Sequence, residues 1–95
     1  MTVEGLKAEL EKIILGLTSS GFGSIDSGIV EKLDKFGVTA GELGMSEGKR
    51  LIENLSGAIK AIQKGKSKAE SGTIRLTALE FYLKKLAEGG NTEDL

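Results

Sequence analysis

Gly65-Lys66-Ser67 matches the closing residues of a phosphate-binding loop. In that motif backbone N–H groups cradle the phosphates, the lysine reaches their oxygens and the hydroxyl meets magnesium. The motif also needs a glycine five positions before Gly65, where this chain has Lys60. It must follow a buried strand, and this stretch follows apolar residues at helical spacing. The three residues therefore read as a helix stop and a new start.

Other candidates for chemistry fare no better. The chain has no His and no Cys, which removes the commonest general base, the thiolate nucleophile and the usual zinc ligands. Glu9 and Glu11, two apart on a helix, point in different directions. Glu42 and Glu47 flank a turn that lacks the closely spaced acidic positions of a calcium loop. Ser19-Ser20 has no base in its pattern and reads as a polar loop. The expectation is a protein without enzymatic activity, catalytic residues, metal, cofactor or small-molecule substrate.

The segment from Val38 to Leu55, VTAGELGMSEGKRLIENL, poses a sharper question. It has the outline of a DNA-binding helix-turn-helix: a short helix, a glycine turn, then a longer helix opening on a serine. Ala40 and Gly44 are four apart, Met45 suits the buried turn position, and Lys49 and Arg50 lie where a recognition helix meets base edges. The packing pattern disagrees. The second helix of the motif buries apolar residues about six and nine positions after the glycine, but Arg50 and Glu53 occupy them. Leu51, Ile52 and Leu55 carry the apolar face instead, displaced by roughly 100°.

Charge casts a partial vote for nucleic acid. Met45–Leu76 holds seven basic against three acidic residues, whereas Met1–Gly44 holds four against seven. The whole chain is nearly neutral at −1, and nucleic-acid affinity rests on phosphate neutralisation. Lys49, Arg50, Lys60, Lys64, Lys66 and Lys68 are the candidate phosphate contacts.

The elements that must position these residues follow from periodicity. The chain has 95 residues, 39% of them hydrophobic, with no proline and 14 glycines. That suits one modest all-α domain over 1–90, with 91–95 as a flexible tail. Val3, Leu6, Leu10, Ile13 and Leu17 predict a helix over about 2–18, capped by Thr2 and stopped by Gly21. Ser19–Ser24 is the first loop. Ile29, Val30, Leu33 and Phe36 predict a second helix over 26–36, from Asp26 or Ser27, closed by Gly37. Thr39 to Glu42 has capping-box spacing, so a separate short helical turn is expected near 39–43. Ser46 is the expected cap of a third helix, 46–64, with Leu51, Ile52, Leu55, Ile59 and Ile62 inward and Gly65 as its stop. A fourth helix is expected over 67–87, with a start near Thr73 as the competing reading. Gly89-Gly90 would end it. The expected core joins the inward residues Leu6, Leu10, Ile13, Leu17, Ile29, Leu33, Phe36, Leu51, Leu55, Ile59, Ile62, Leu76, Leu79, Leu83 and Leu86.

The fourth helix carries more apolar residues than one face needs. Leu76, Leu79, Tyr82, Leu83 and Leu86 form one stripe; Ile74, Ala78 and Phe81 form a second. Leu15 similarly lies off the face of the first helix. A helix with two stripes is either central to a bundle or shared with a partner. Ile74, Phe81 and Leu15 are thus the candidate self-association surface of a homodimer. No stretch approaches the roughly 18 apolar residues of a membrane span, and the N-terminus does not resemble a signal peptide, so the expected location is cytoplasmic. Two readings remain: a helical protein-interaction or assembly module, and a helix-turn-helix-like nucleic-acid binder using 39–55 and the basic region 49–68.

Overall fold

In a computed structural model, which describes residues 1–22 and 27–87, four helices follow one another. They are α1 (Val3–Ser20), α2 (Ser27–Glu42), α3 (Ser46–Gln63) and α4 (Ala69–Ala87). Asp26, the end of the first loop, the Gly89-Gly90 stop and the 91–95 tail lie outside the described residues.

The Thr2 hydroxyl accepts the Gly5 N–H at 3.0 Å and caps α1, with Glu4 in the first turn. The helix outruns the expected end at Thr18 by two residues. Thr18 and Ser20 donate their hydroxyls to the Ile14 and Gly16 carbonyls, both at 2.8 Å, so they stay inside the helix rather than breaking it. Gly21, with φ of 76°, is the stop.

Gly37 does not close α2, and there is no separate turn at 39–43; one helix runs through to Glu42. Gly37 is buried against α3, where an added Cβ would lie 3.4 Å from Glu53 Cγ and 3.7 Å from Ile52 Cγ2. Thr39 is mid-helix, and its hydroxyl donates to the Lys35 carbonyl at 3.1 Å. The actual stop is Gly44, with φ of 79°. The Gly44 N–H bonds the Gly41 carbonyl, and the Met45 N–H reaches back to Ala40. This paired closure needs a left-handed residue, and glycine takes that conformation without a Cβ penalty. Met45 and Ala40, its two apolar ends, are both buried. Met45 then occupies the cap position of α3, and Ser46, the expected cap, is already the first helical residue.

Gly65 ends α3 in the same way, its own N–H and that of Lys66 bonding the carbonyls of Ile62 and Ala61. The fourth helix begins at Ala69, close to the earlier of the two expected starts, so Ala69 to Gly72 is helical and not part of a loop up to Thr73.

Helix direction alternates along the chain. Gly41 lies beside Lys49, Gly37 beside Ile52 and Glu53, and Asp34 beside Ser56 and Lys60. Numbers fall on α2 as they rise on α3, the mark of an antiparallel pair. Gly48 against Tyr82 and Ile62 against Gly72 pair α3 with α4 in the same sense. Helix α1 closes the ring by packing on both α2 and α4, which makes an up-and-down four-helix bundle. Leu6, Leu10, Leu17, Leu33, Ile52, Leu55, Ile59 and Leu79 are the most deeply buried side chains. Of the expected core, Ile29, Phe36, Ile62 and Leu86 are only half-buried, at its margin. Ile14 and Phe22 join the core unexpectedly, Ile14 because α1 touches two helices and needs a wider stripe.

A polar cluster around Asp34 ties α2 to α3. The buried Ser56 hydroxyl donates to Asp34 at 2.7 Å, and Lys60 reaches the other carboxylate oxygen at 3.2 Å. The Ser56 hydrogen bond is the main cause holding the Asp34 carboxyl below its ordinary value; burial opposes it and Lys60 adds to it. A depressed value means that the contact stabilises the fold above the ordinary carboxylate range and is lost as pH falls through the depressed one. Asp34→Ala should cost about 1 kcal/mol at neutral pH because it strands a buried hydroxyl. Ser56→Ala should cost less, since water replaces the donor at the half-exposed carboxylate. Urea unfolding of both single variants and the double variant checks this. The gap between wild type and Asp34→Ala should close in acid, and strictly additive losses would show that the two groups do not interact.

Candidate functional site

The outer stripe of α4 is exposed and forms one wall of a groove. Ile74, Ala78 and Phe81 follow each other at four and three residues, so they share a line along the helix. The core stripe points about 140° away around the helix. Ile74 and Phe81 are 65% and 61% exposed, which answers the question the two stripes raised: α4 is not enclosed by the bundle. The other wall is the first turn and a half of α3, supplying Ser46, Glu47, Arg50 and Leu51. Together they bound a groove of about 1030 Å³.

The floor of the groove depends on Gly48. Tyr82 lies against it, and an added Cβ there would sit 3.0 Å from the Tyr82 hydroxyl oxygen and 3.1 Å from a ring carbon. The missing side chain lets α3 and α4 approach and keeps Tyr82 buried below Phe81. At the far end Lys85 stands over the Phe81 ring, its ammonium 5.2 Å from the centroid, a distance at which a cation is drawn to the ring face. At the α3 rim Arg50 donates to both carboxylate oxygens of Glu47. That hydrogen bonding lowers the Glu47 value and raises that of Arg50, so both stay charged at neutral pH. The groove is thus an apolar trough between charged rims.

Of the candidate self-association residues, Ile74 and Phe81 come together here, while Leu15 does not. Leu15 is 68% exposed on α1, but no α1 residue lines the groove.

Three of the six candidate nucleic-acid contacts are held by acidic partners. Lys49 pairs with Glu53 at 2.7 Å, Arg50 with Glu47, and Lys60 with Asp34 at 3.2 Å. Lys64, Lys66 and Lys68 lie in the exposed connection between α3 and α4. The 39–55 segment belongs to an antiparallel helical hairpin, with α2 and α3 in contact from Gly41–Lys49 back to Asp34–Lys60. A helix-turn-helix crosses at roughly 90–120°, which would confine such contacts to the turn. At Gly65-Lys66-Ser67 the backbone N–H groups of the first two residues are spent closing α3.

Among the described residues no cluster of three acidic side chains is arranged to hold a metal ion, and no helix is long and apolar enough to cross a membrane. Sequence reasoning missed Gly48 and Gly72 as packing positions. Gly72 lies under Phe22, with an added Cβ 2.7 Å from a ring carbon and 2.9 Å from Ile62 Cδ1.

Fold and surface together define an up-and-down four-helix bundle with an exposed apolar groove along its fourth helix. No family model, curated protein or solved structure matches the chain.

Proposed function

We propose that this protein is a non-enzymatic helical interaction or assembly module, cytoplasmic, whose binding surface is the α3–α4 groove. The observation that carries the reading is the exposed stripe Ile74–Ala78–Phe81, set beside a wall that Gly48 and Tyr82 bring close. Large apolar side chains lined up in a groove lose little conformational freedom when a partner covers them and remove apolar area from water. Asp34, Glu47 and Arg50 have values displaced away from neutrality, the reverse of what acid–base catalysis at neutral pH needs.

A photo-crosslinking amino acid in place of Phe81, in cells that make the protein, should join the chain to a protein partner. The same group in place of Glu31, on the exposed side of α2, should join it to much less. Equal labelling from both positions would remove the groove as a binding surface.

The second reading, nucleic-acid binding, draws on Lys64, Lys66 and Lys68, which stand close together on one exposed connection. Three phosphate contacts predict weak binding with a shallow salt slope of roughly −3 on duplex DNA. A fluorescence titration with a labelled duplex at low salt checks it; no binding at micromolar protein would eliminate this reading.

A further inference from the structure

We propose that the partner of the α4 stripe is a second copy of the same helix, paired antiparallel about a twofold axis near Thr77 and Ala78. This rests on the reading of the groove as an interaction surface and names its occupant. Ile74, Ala78, Phe81 and Lys85 follow one another at four, three and four residues, the spacing of a two-helix seam. The seam is close to self-complementary when reversed. With the axis between Thr77 and Ala78, Ile74 of one copy faces Phe81 of the other, and Ala78, the small residue at the centre, lets the helices approach. Each apolar anchor meets the other twice, as an isologous interface requires.

The charges choose the direction. Glu70 stands exposed in the first turn of α4, and Lys84 and Lys85 stand exposed in the last. Taking 100° per residue, Glu70 and Lys84 fall on the same flank of the stripe and Lys85 falls on it. An antiparallel pair sets Glu70 of each copy against Lys84 and Lys85 of the other. A parallel pair sets Glu70 against Glu70 and lysine against lysine. The helix dipoles favour the antiparallel choice as well. Among the described residues Glu70 has no ion pair within its own chain; the second copy supplies one. The neighbouring α3 wall, with Leu51 and Tyr82, then borders the incoming helix and extends the apolar contact beyond the seam.

Sedimentation equilibrium and cysteine cross-linking test this together, since the chain has no cysteine of its own. Wild type should show the mass of two chains at high micromolar concentration, and Phe81→Glu should sediment as a single chain with its helical circular dichroism intact. Glu70→Lys should weaken the dimer on the order of tenfold, because symmetry counts each reversed contact twice. Adding Lys84→Glu and Lys85→Glu to that chain should restore it. Ala78→Cys should oxidise to a cross-linked dimer by itself. Glu70→Cys and Lys84→Cys should cross-link when mixed and much less when alone. A single-chain mass for wild type overturns the proposal, as does ready self-cross-linking at position 70, which is the parallel signature. If wild type is a monomer while the Phe81 photo-crosslink still captures another protein, self-pairing fails and the interaction reading stands. If neither occurs, both fail.

Discussion

Leu55→Ala should lower the free energy of unfolding by about 2–5 kcal/mol, a large share of the roughly 5–15 kcal/mol that holds a domain together. Leu55 has no solvent exposure and sits on the inward face of α3. In the contact ring α3 is flanked by α2 and α4, and Gly37 and Gly48 bring those neighbours close, leaving little room for the bundle to collapse into the space vacated. Truncation therefore loses both the transfer free energy of the removed carbons and the dispersion contacts of a cavity lining. Urea denaturation followed by circular dichroism reads the effect. A loss below half a kcal/mol would mean that the interior relaxes around the gap or that Leu55 is not enclosed.

The second large effect is a reversal of sign between two glycines. Glycine in a helix interior costs roughly 1 kcal/mol relative to alanine. Gly57→Ala, at an exposed position with no atom within 4 Å of the added Cβ, should recover most of that. Gly72→Ala should do the opposite. Its Cβ would enter the Phe22 ring at 2.7 Å and Ile62 Cδ1 at 2.9 Å, closer than atoms pack. Phe22 must move out of the core or α4 must shift away from α3, and overpacking of this kind costs typically 1–3 kcal/mol. The net loss should be about 1–2 kcal/mol once the helix gain is set against it. In a Phe22→Ala background the Gly72 penalty should shrink, since half of the clash is gone. Thermal unfolding of the single and double variants measures this. A stabilising Gly72→Ala would show that the contact between the ring and the helix is slack.

How far local sequence can see is clearest from the glycines. Gly21, Gly44 and Gly65 all adopt positive φ; Gly21 and Gly65 are legible as stops because each follows an amphipathic run, whereas Gly44 is legible only as the turn glycine of the helix-turn-helix outline. Gly37 has the same sequence context, with Phe36 as the last residue of an apolar face, and was read as a stop; it is instead buried where α2 crosses close to α3. A glycine that ends a helix and a glycine that lets another helix approach present the same letter. What separates them is the neighbour, which belongs to another part of the chain.

The candidate site divides in the same way. The second stripe of α4 could be read from spacing alone, and Ile74 and Phe81 are exposed as that spacing allowed. Leu15 is equally exposed, yet it lies on α1 outside the groove. The basic residues of 49–68 were countable, but their pairing was less evident. Lys49–Glu53 and Arg50–Glu47 follow helix spacing, whereas Lys60–Asp34 joins residues 26 apart.

The sequence by itself determined the all-α class, the number of main helices and the side of each that turns inward. Those follow from a 3.6-residue repeat of apolar side chains and from the backbone freedom of the stop glycines, both local properties. Only the tertiary structure decided that α2 runs unbroken, that 39–55 is half of an antiparallel hairpin, and that Ile74 and Phe81 share a groove. These are set by how closely two helix surfaces approach. That distance depends on pairs such as Gly37 with Ile52 and Gly48 with Tyr82, whose members lie far apart in the chain and carry no signal until they meet.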